Sequence, residues 1–281
     1  MVDLRQSYEY SLYLSKIGWI VERVAGINYF IKKIPLIGSI LKVQRPGEIR
    51  IDKIRELNKK YRSFLTIIEP RNEMDAKYLA SIGFKLSKNP YLPTKTLQID
   101  LTQSKQKIYK SFKRNIRQGI KRGETIEVKE YSTPKQIEIF RESWKKCIKS
   151  KRFVPTTSDL INLRKSFPQS HSIFLASHNI VGSIIGGVIF TRVSHDITYY
   201  VYGFSSEEGR TSLTHAALLY QGILWAKKNG CKVFDFEGIY DERFPKKDWI
   251  GFTQFKKSFG GYEISYPGAY TKYNTPLVSF R

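Results

Sequence analysis

The chain has 281 residues, and its 48 Lys and Arg against 25 Asp and Glu give a formal net charge of +23. Apolar residues make up 41% and aromatics 14%, which excludes a disordered chain and supplies the core of one large or two small domains, while the charge favours polyanionic partners such as nucleic acid, anionic lipid or phosphorylated substrates. Cys147 and Cys231 are far apart and MVDLRQSYEY has no apolar signal region, which excludes a disulfide framework and fits a reduced, cytosolic protein.

In chain order, residues 7–18 predict a short helix that stops at Gly18. Residues 19–24 and 29–33 read as a strand pair around a turn at 25–28, and a further strand over 40–43 ends at Arg45-Pro46-Gly47. The most apolar early stretch, 34–41, contains Pro35 and Gly38 and is far too short to span a bilayer. A helix is predicted at 51–61, a buried strand at 64–68 closed by Glu69-Pro70, a helix at 75–82 capped by Gly83, and a strand at 96–100.

Residues 105–122 read as one helix, with Ser104 as its cap and Ile108, Phe112, Ile116 and Ile120 recurring every four residues. The same stretch carries eight cations (Lys105, Lys107, Lys110, Lys113, Arg114, Arg117, Lys121, Arg122) and no acid. Such a helix lays a narrow apolar stripe on a core and turns a dense positive face outward. Its like charges repel at i,i+3 and i,i+4, so packing or a bound anion must offset them. Arg114 and Arg117, three apart, together with Lys113 and Lys121, are candidates for gripping phosphates of tRNA or of anionic lipid.

Helix signals continue at 134–150. Strands are predicted at 172–177, 180–192 and 197–204, a helix at 211–228 ending at Asn229-Gly230, a strand at 232–236, and a strand through the tail, 262–273. The alternation of helix and strand signals indicates an α/β or α+β architecture. From residue 172 the order, an antiparallel meander followed by a helix and a strand, is one that a GNAT acyltransferase core, which splays around a central cleft, shares with many other α+β domains.

The segment YVYGFSSEEGRTSLTHAALLYQGILWAKKNGCKVFDFEGI, followed by GFTQFKKSFGG, resembles the C-terminal half of Fem-type aminoacyltransferases. SFKRNIRQGIKRG resembles the segment that opens their second GNAT domain, and QSYEY, IPLIGSILKVQRPG and FLTIIEP resemble their first domain. The resemblance runs from about Gln6 to Tyr270. It implies an α+β fold of two GNAT-like domains, with mixed, mostly antiparallel sheets flanked by helices. Residues 1–100 plus 267–281 would form the smaller, acceptor-side domain and 101–266 the second. The helical hairpin that makes a coiled-coil arm in some members has no counterpart here. The resemblance also implies an aminoacyl-tRNA donor and an acceptor amine on the stem peptide of a peptidoglycan precursor, lipid II or UDP-MurNAc-peptide. The implied location is cytoplasmic, with peripheral contact at the inner face of an anionic membrane.

In the family signature, the lysine of the FK pair falls on Lys256, next to Phe255. Attack of an amine on an aminoacyl ester passes through a tetrahedral oxyanion, which a fixed cation stabilises. Phe255 and Phe259 are expected to hold the lysine stem. Alternation puts Asp235 and Glu237 on one face at the end of a strand, where they can take a proton from the attacking ammonium or orient it, or else pair with nearby Lys or Arg. Tyr202 is expected to line the same cleft. Arg210 is a phosphate ligand or a solvated charge at a helix start, and Arg45, in QRPG, is a candidate for a diphosphate.

The turn 205–210 has one glycine and two carboxylates where an acyl-CoA enzyme holds pyrophosphate on free N–H groups, so no CoA or other cofactor is expected. His171, His178, His195 and His215 show no metal-ligand spacing with the cysteines, so no metal is expected either. There is no GxSxG, GxxxxGK[ST] or post-strand GxGxxG. Two other functions stay open: an N-acyltransferase of the same fold that uses acyl-CoA or modifies another amine, and a non-catalytic, basic nucleic-acid-binding protein.

Overall fold

The computed structural model describes residues 1–148 and 153–274, so the end of the helix expected over 134–150 lies outside the described residues. The chain splits into two compact units. The first comprises Val2–Lys95, Asp241–Pro245 and the chain from residue 265 onward; the second comprises Thr96–Tyr240 and Lys246–Ile264. Among the described residues, no helix is long and apolar enough to cross a membrane.

In the first unit, α1 (Tyr8–Lys16) begins where Ser7 Oγ accepts the Tyr10 N–H and is followed by Gly18 at φ +83°. Then come β1 (Ile20–Val24), β2 (Ile27–Ile34), β3 (Gly38–Gln44), α2 (Ile51–Tyr61), β4 (Ser63–Glu69), α3 (Glu73–Ser81) and β5 (Lys85–Leu86). β1, β2 and β3 are antiparallel neighbours, and β3 pairs in parallel with β4 across the α2 crossover. Tyr29, Ile31, Leu41, Val43 and Ile68 form one core with Ile54 and Leu57 of α2 and Leu79 of α3. Gly38, at φ +126°, is fixed by close approach, because an added Cβ would collide with the Arg62 carbonyl.

The second unit contains β6 (Lys95–Asp100), α4 (Lys105–Ser111), α5 (Arg114–Gly123), β7 (Val128–Glu130), α6 (Pro134–Cys147), α7 (Thr157–Ser166), β8 (Ser172–His178), β9 (Ile184–Val193), β10 (Ile197–Ser205), α8 (Glu207–Thr211), α9 (Thr214–Lys228), β11 (Val233–Gly238), α10 (Ile250–Lys257) and β12 (Tyr262–Ser265). Its sheet runs β12-β6-β11-β10-β9-β8-β7. β7 through β10 form an antiparallel meander, and β10 pairs in parallel with β11. The chain then returns to the first sheet as β13 (Tyr270–Tyr273), between β4 and β5.

Several elements depart from the sequence reading. The basic stretch is two helices, because Phe112 is extended (ψ 142°) and the Lys113 N–H donates to Ser258 O. Positions four apart drift by about 40° per step around a straight helix, so four of them leave a single stripe. The break at Phe112 resets that drift, and Ile108, Phe112, Ile116 and Ile120 all reach the core. The expected helix over 211–228 divides at Leu213, which has φ +58°. The tail is two strands in two sheets, separated by a turn at Pro267-Gly268, where Gly268 has φ +110°. α7 was not foreseen, although Thr156 and Asp159 form a capping box at its start and Leu160, Leu163 and Phe167 supply its buried side.

Gly119 and Gly123 seat α5 directly on α9, where an added Cβ on Gly123 would collide with Ala217. This close packing supplies the compensation that a helix of like charges requires.

Candidate active site

The candidate site forms where β10 and β11 part. They pair from Ile197–Tyr199 against Val233–Asp235 and then diverge, each carrying an irregularity. On β10, Tyr200 is opposite Phe190 and Tyr202 is opposite Ile189, so one extra residue bulges out and the two tyrosines face opposite sides of the sheet. Tyr202 therefore packs on Trp144 of α6, ring centroids 5.4 Å apart, rather than lining the cleft as alternation predicted. Tyr200 faces the cleft side instead. Its hydroxyl lies 2.8 Å from His215 Nε2, and Gly203 leaves room for it, since an added Cβ there would collide with that hydroxyl.

On β11, Asp235 is opposite Gln98 and Gly238 opposite Thr96, so this strand also holds an extra residue, with Glu237 at φ +59°. The bulge frees backbone carbonyls from the ladder, and Lys256 of α10 takes them. Its Nζ donates to Phe236 O and to Gly238 O, both at 2.7 Å. An ammonium has three N–H donors, so one remains. The rings against the ammonium are Phe252 at 5.0 Å and Tyr200 at 5.6 Å. Phe255 packs on His215, centroids 5.8 Å apart, and on Phe259, which is fully buried among Phe112 and Phe236.

Burial lowers the Lys256 ammonium to about 8, against the opposing pull of Glu237 and Asp235. Burial, helped by the Lys256 charge, lowers His215 to about 4, so its ring is neutral at pH 7. Burial also raises the Tyr200 hydroxyl above its ordinary value, so it stays protonated. A protonated phenol and a neutral imidazole share this one hydrogen bond, whose direction follows the tautomer of the ring.

Asp235 and Glu237 both act on Lys256 electrostatically, but the left-handed Glu237 breaks the strand alternation that was to align them. Asp235 is 1% exposed and accepts from Gln98 Nε2 at 2.8 Å and from the Glu237 N–H at 2.6 Å.

The structure uses several other expected site residues locally. Arg45 is 2% exposed and bonds Asp3 at 3.1 Å and Pro93 O at 2.6 Å, with its guanidinium 3.6 Å from the centroid of the Tyr266 ring. A cation so enclosed is a clasp, not a diphosphate ligand. Arg117 folds back to donate to Lys110 O and Phe112 O, terminating α4, while Arg114, Lys113 and Lys121 stay exposed. Arg210 donates to Ser205 O at 2.8 Å. In the same turn, Ser206 Oγ accepts the Gly209 N–H, and Gly209 is tight against the Ile185 carbonyl. The glycine therefore serves packing, and a carboxylate pair, Glu207 and Glu208, occupies the first turn of α8.

Tyr200 and His215 escaped the sequence reading. The bulge that exposes Tyr200 has no signature in the alternation, and only the small Gly203 three residues later marks the place.

Residues 183–279 match the model of the FemAB family. No curated protein matches the sequence. The fold is similar to the crystal structure of FemX, with a TM-score of 0.80, 18% identity, and coverage of 97% of this chain and 92% of that one. It is also similar to L-PGS from Bacillus licheniformis (TM-score 0.62, 15% identity, 98% and 91% covered). A tandem GNAT protein from the clavulanic acid biosynthesis pathway gives a TM-score of 0.54 at 11% identity, with 92% and 84% covered. The region matched by the FemAB family model runs from β9 through β13, and the fold of the chain as a whole is similar to that of FemX.

Proposed function

We propose that the chain is an aminoacyltransferase that moves an amino acid from aminoacyl-tRNA to the stem-peptide amine of a peptidoglycan precursor, lipid II or its UDP-linked form. The observation that carries this reading is Lys256, a half-buried ammonium with two N–H groups committed to the β11 bulge and the third left over beside the parting strands. The acceptor amine attacks the ester carbonyl of the donor. As the C–N bond forms, the carbonyl oxygen becomes an oxyanion that accepts the remaining Lys256 N–H. The ester C–O bond then breaks, and the amine proton leaves with the ribose oxygen, with Glu237 as the carboxylate that orients the amine. Asp235, already accepting two hydrogen bonds, shapes the bulge and adds negative potential behind the ammonium.

Donor recognition falls to the exposed cations of α4 and α5, with Arg114, Lys113 and Lys121 contacting tRNA phosphates and Arg117 holding the break between the helices. The capped, acid-bearing turn of α8 supports a donor without CoA, because the Gly209 N–H is taken by Ser206 Oγ and two carboxylates sit at the helix start.

The test supplies pooled charged tRNA carrying labelled amino acids, or labelled acetyl-CoA, with lipid II or UDP-MurNAc-peptide as acceptor. Label from charged tRNA, falling steeply as salt rises, is the expected result. Label from acetyl-CoA alone would overturn the donor assignment.

A further inference from the structure

We infer that one end of the first unit's sheet is a docking surface for an anionic lipid bilayer, with the β2–β3 hairpin tip as its apolar wedge. This goes beyond the proposed chemistry and stands whether or not that chemistry is right. At the tip, Leu36 is 108% exposed and Ile37 is 65% exposed. Leu36 also sits at φ +65°, a left-handed position that glycine or asparagine fills more cheaply. A leucine there forgoes both turn propensity and burial, and gains no contact inside the protein.

The surroundings identify the occupant. Lys32 and Lys33 belong to the same hairpin. Arg62 is adjacent, because its carbonyl accepts the Ser39 N–H, and Lys59 precedes it at the end of α2. Lys32 Nζ reaches the Gly18 carbonyl at 3.1 Å, which brings the end of α1, with Lys16, to this side. The acid at this end, Glu22, is already paired with Lys60 and Tyr61. Aromatic groups complete the pattern. Trp19 lies 5.5 Å from Lys32 Nζ, and Tyr273, 77% exposed, ends β13 beside the start of β4. An apolar wedge, amphipathic rings and a collar of lysine and arginine together fit the interface of an anionic membrane.

The second unit carries an internal control. The β8–β9 turn exposes Ile180 (103%) and Val181 (77%), but the neighbouring Asn179 is bonded to the acidic Glu208. That tip is equally apolar, and the charged side chain bonded beside it is an acid rather than a lysine or arginine.

The test is co-sedimentation with vesicles of phosphatidylcholine, with or without phosphatidylglycerol, at low and high salt. The proteins are the wild type, Leu36→Asn/Ile37→Ser, the charge reversal Lys33→Glu/Arg62→Glu, and Ile180→Ser/Val181→Ser, each checked for an intact melting transition. The wild type should bind the anionic vesicles and release them at high salt. The tip pair and the charge reversal should each weaken binding by about tenfold or more, and the Ile180/Val181 pair should stay near wild type. No wild-type binding, equal binding to neutral vesicles, full binding by the tip pair, or an equal loss in the Ile180/Val181 pair would overturn the proposal. So would a wild-type dimer that the tip pair converts to monomer, since the occupant would then be a second copy of the chain.

Discussion

Arg45 in the first unit and Lys256 in the second are both drawn out of water, and they are held in opposite ways. Arg45 meets a carboxylate, a carbonyl and an aromatic face. Burial pushes its partner Asp3 up, but Arg5 and Arg45 overcome that and hold the carboxyl below its usual range. Lys256 meets two neutral carbonyls and two rings, with its acids acting only as a field, so its charge is held less firmly and its pKa falls to about 8. A sealed ion pair serves the fold. A cation held by backbone oxygens, with a donor to spare, can respond to charge that appears nearby.

The largest test of that contrast is Arg45→Ala, which leaves Asp3 charged and buried. It should cost about 3–5 kcal/mol of stability in denaturant melts while transfer per folded molecule stays unchanged. Lys256→Ala should do the reverse, lowering transfer by about 10²–10³-fold. Its stability should move by only about 1–2 kcal/mol, since relief of a buried charge offsets two carbonyls left without donors.

The His215 ring sharpens the second half of the comparison through pH. Its folded value is about 4 against 6.5 unfolded, so in that window the unfolded chain binds more protons. Stability contributed by the neutral ring is present above pH 6.5 and is lost as pH falls toward 4, by up to about 3 kcal/mol. Melting followed from pH 7 to 4 should show this slope in the wild type and a flatter one in His215→Asn. The smallest effect is expected from Gly203→Ala, which displaces the Tyr200 hydroxyl from His215. A transfer loss of about tenfold that Tyr200→Phe reproduces, with no further loss in the double variant, would place both on one path to Lys256.

The comparison also marks where the sequence could be read. The sequence points to Lys256 through its signature, and most helices and strands of the two units follow from periodicity and from stops such as Gly18, Gly83 and Asn229-Gly230. The surroundings of Lys256 were not legible, because they depend on two one-residue bulges. Alternation placed Tyr202 in the cleft and aligned Glu237 with Asp235, and a single extra residue on each strand undid both. Arg45 misled for a different reason. An arginine beside Pro-Gly reads as an exposed strand end, and only the distant Asp3, Pro93 and Tyr266 show that it is enclosed. The basic stretch was recognised by charge, but its break depends on Ser258, more than a hundred positions away, accepting the Lys113 N–H.

The most direct measurement is single-turnover transfer of labelled amino acid from pooled charged tRNA to UDP-MurNAc-peptide at low salt, with wild type, Lys256→Ala and Arg45→Ala side by side at equal folded concentration. The expected result is label with wild type and Arg45→Ala, and a loss of about a hundredfold or more with Lys256→Ala. Wild-type transfer by folded Lys256→Ala would contradict the role given to that ammonium.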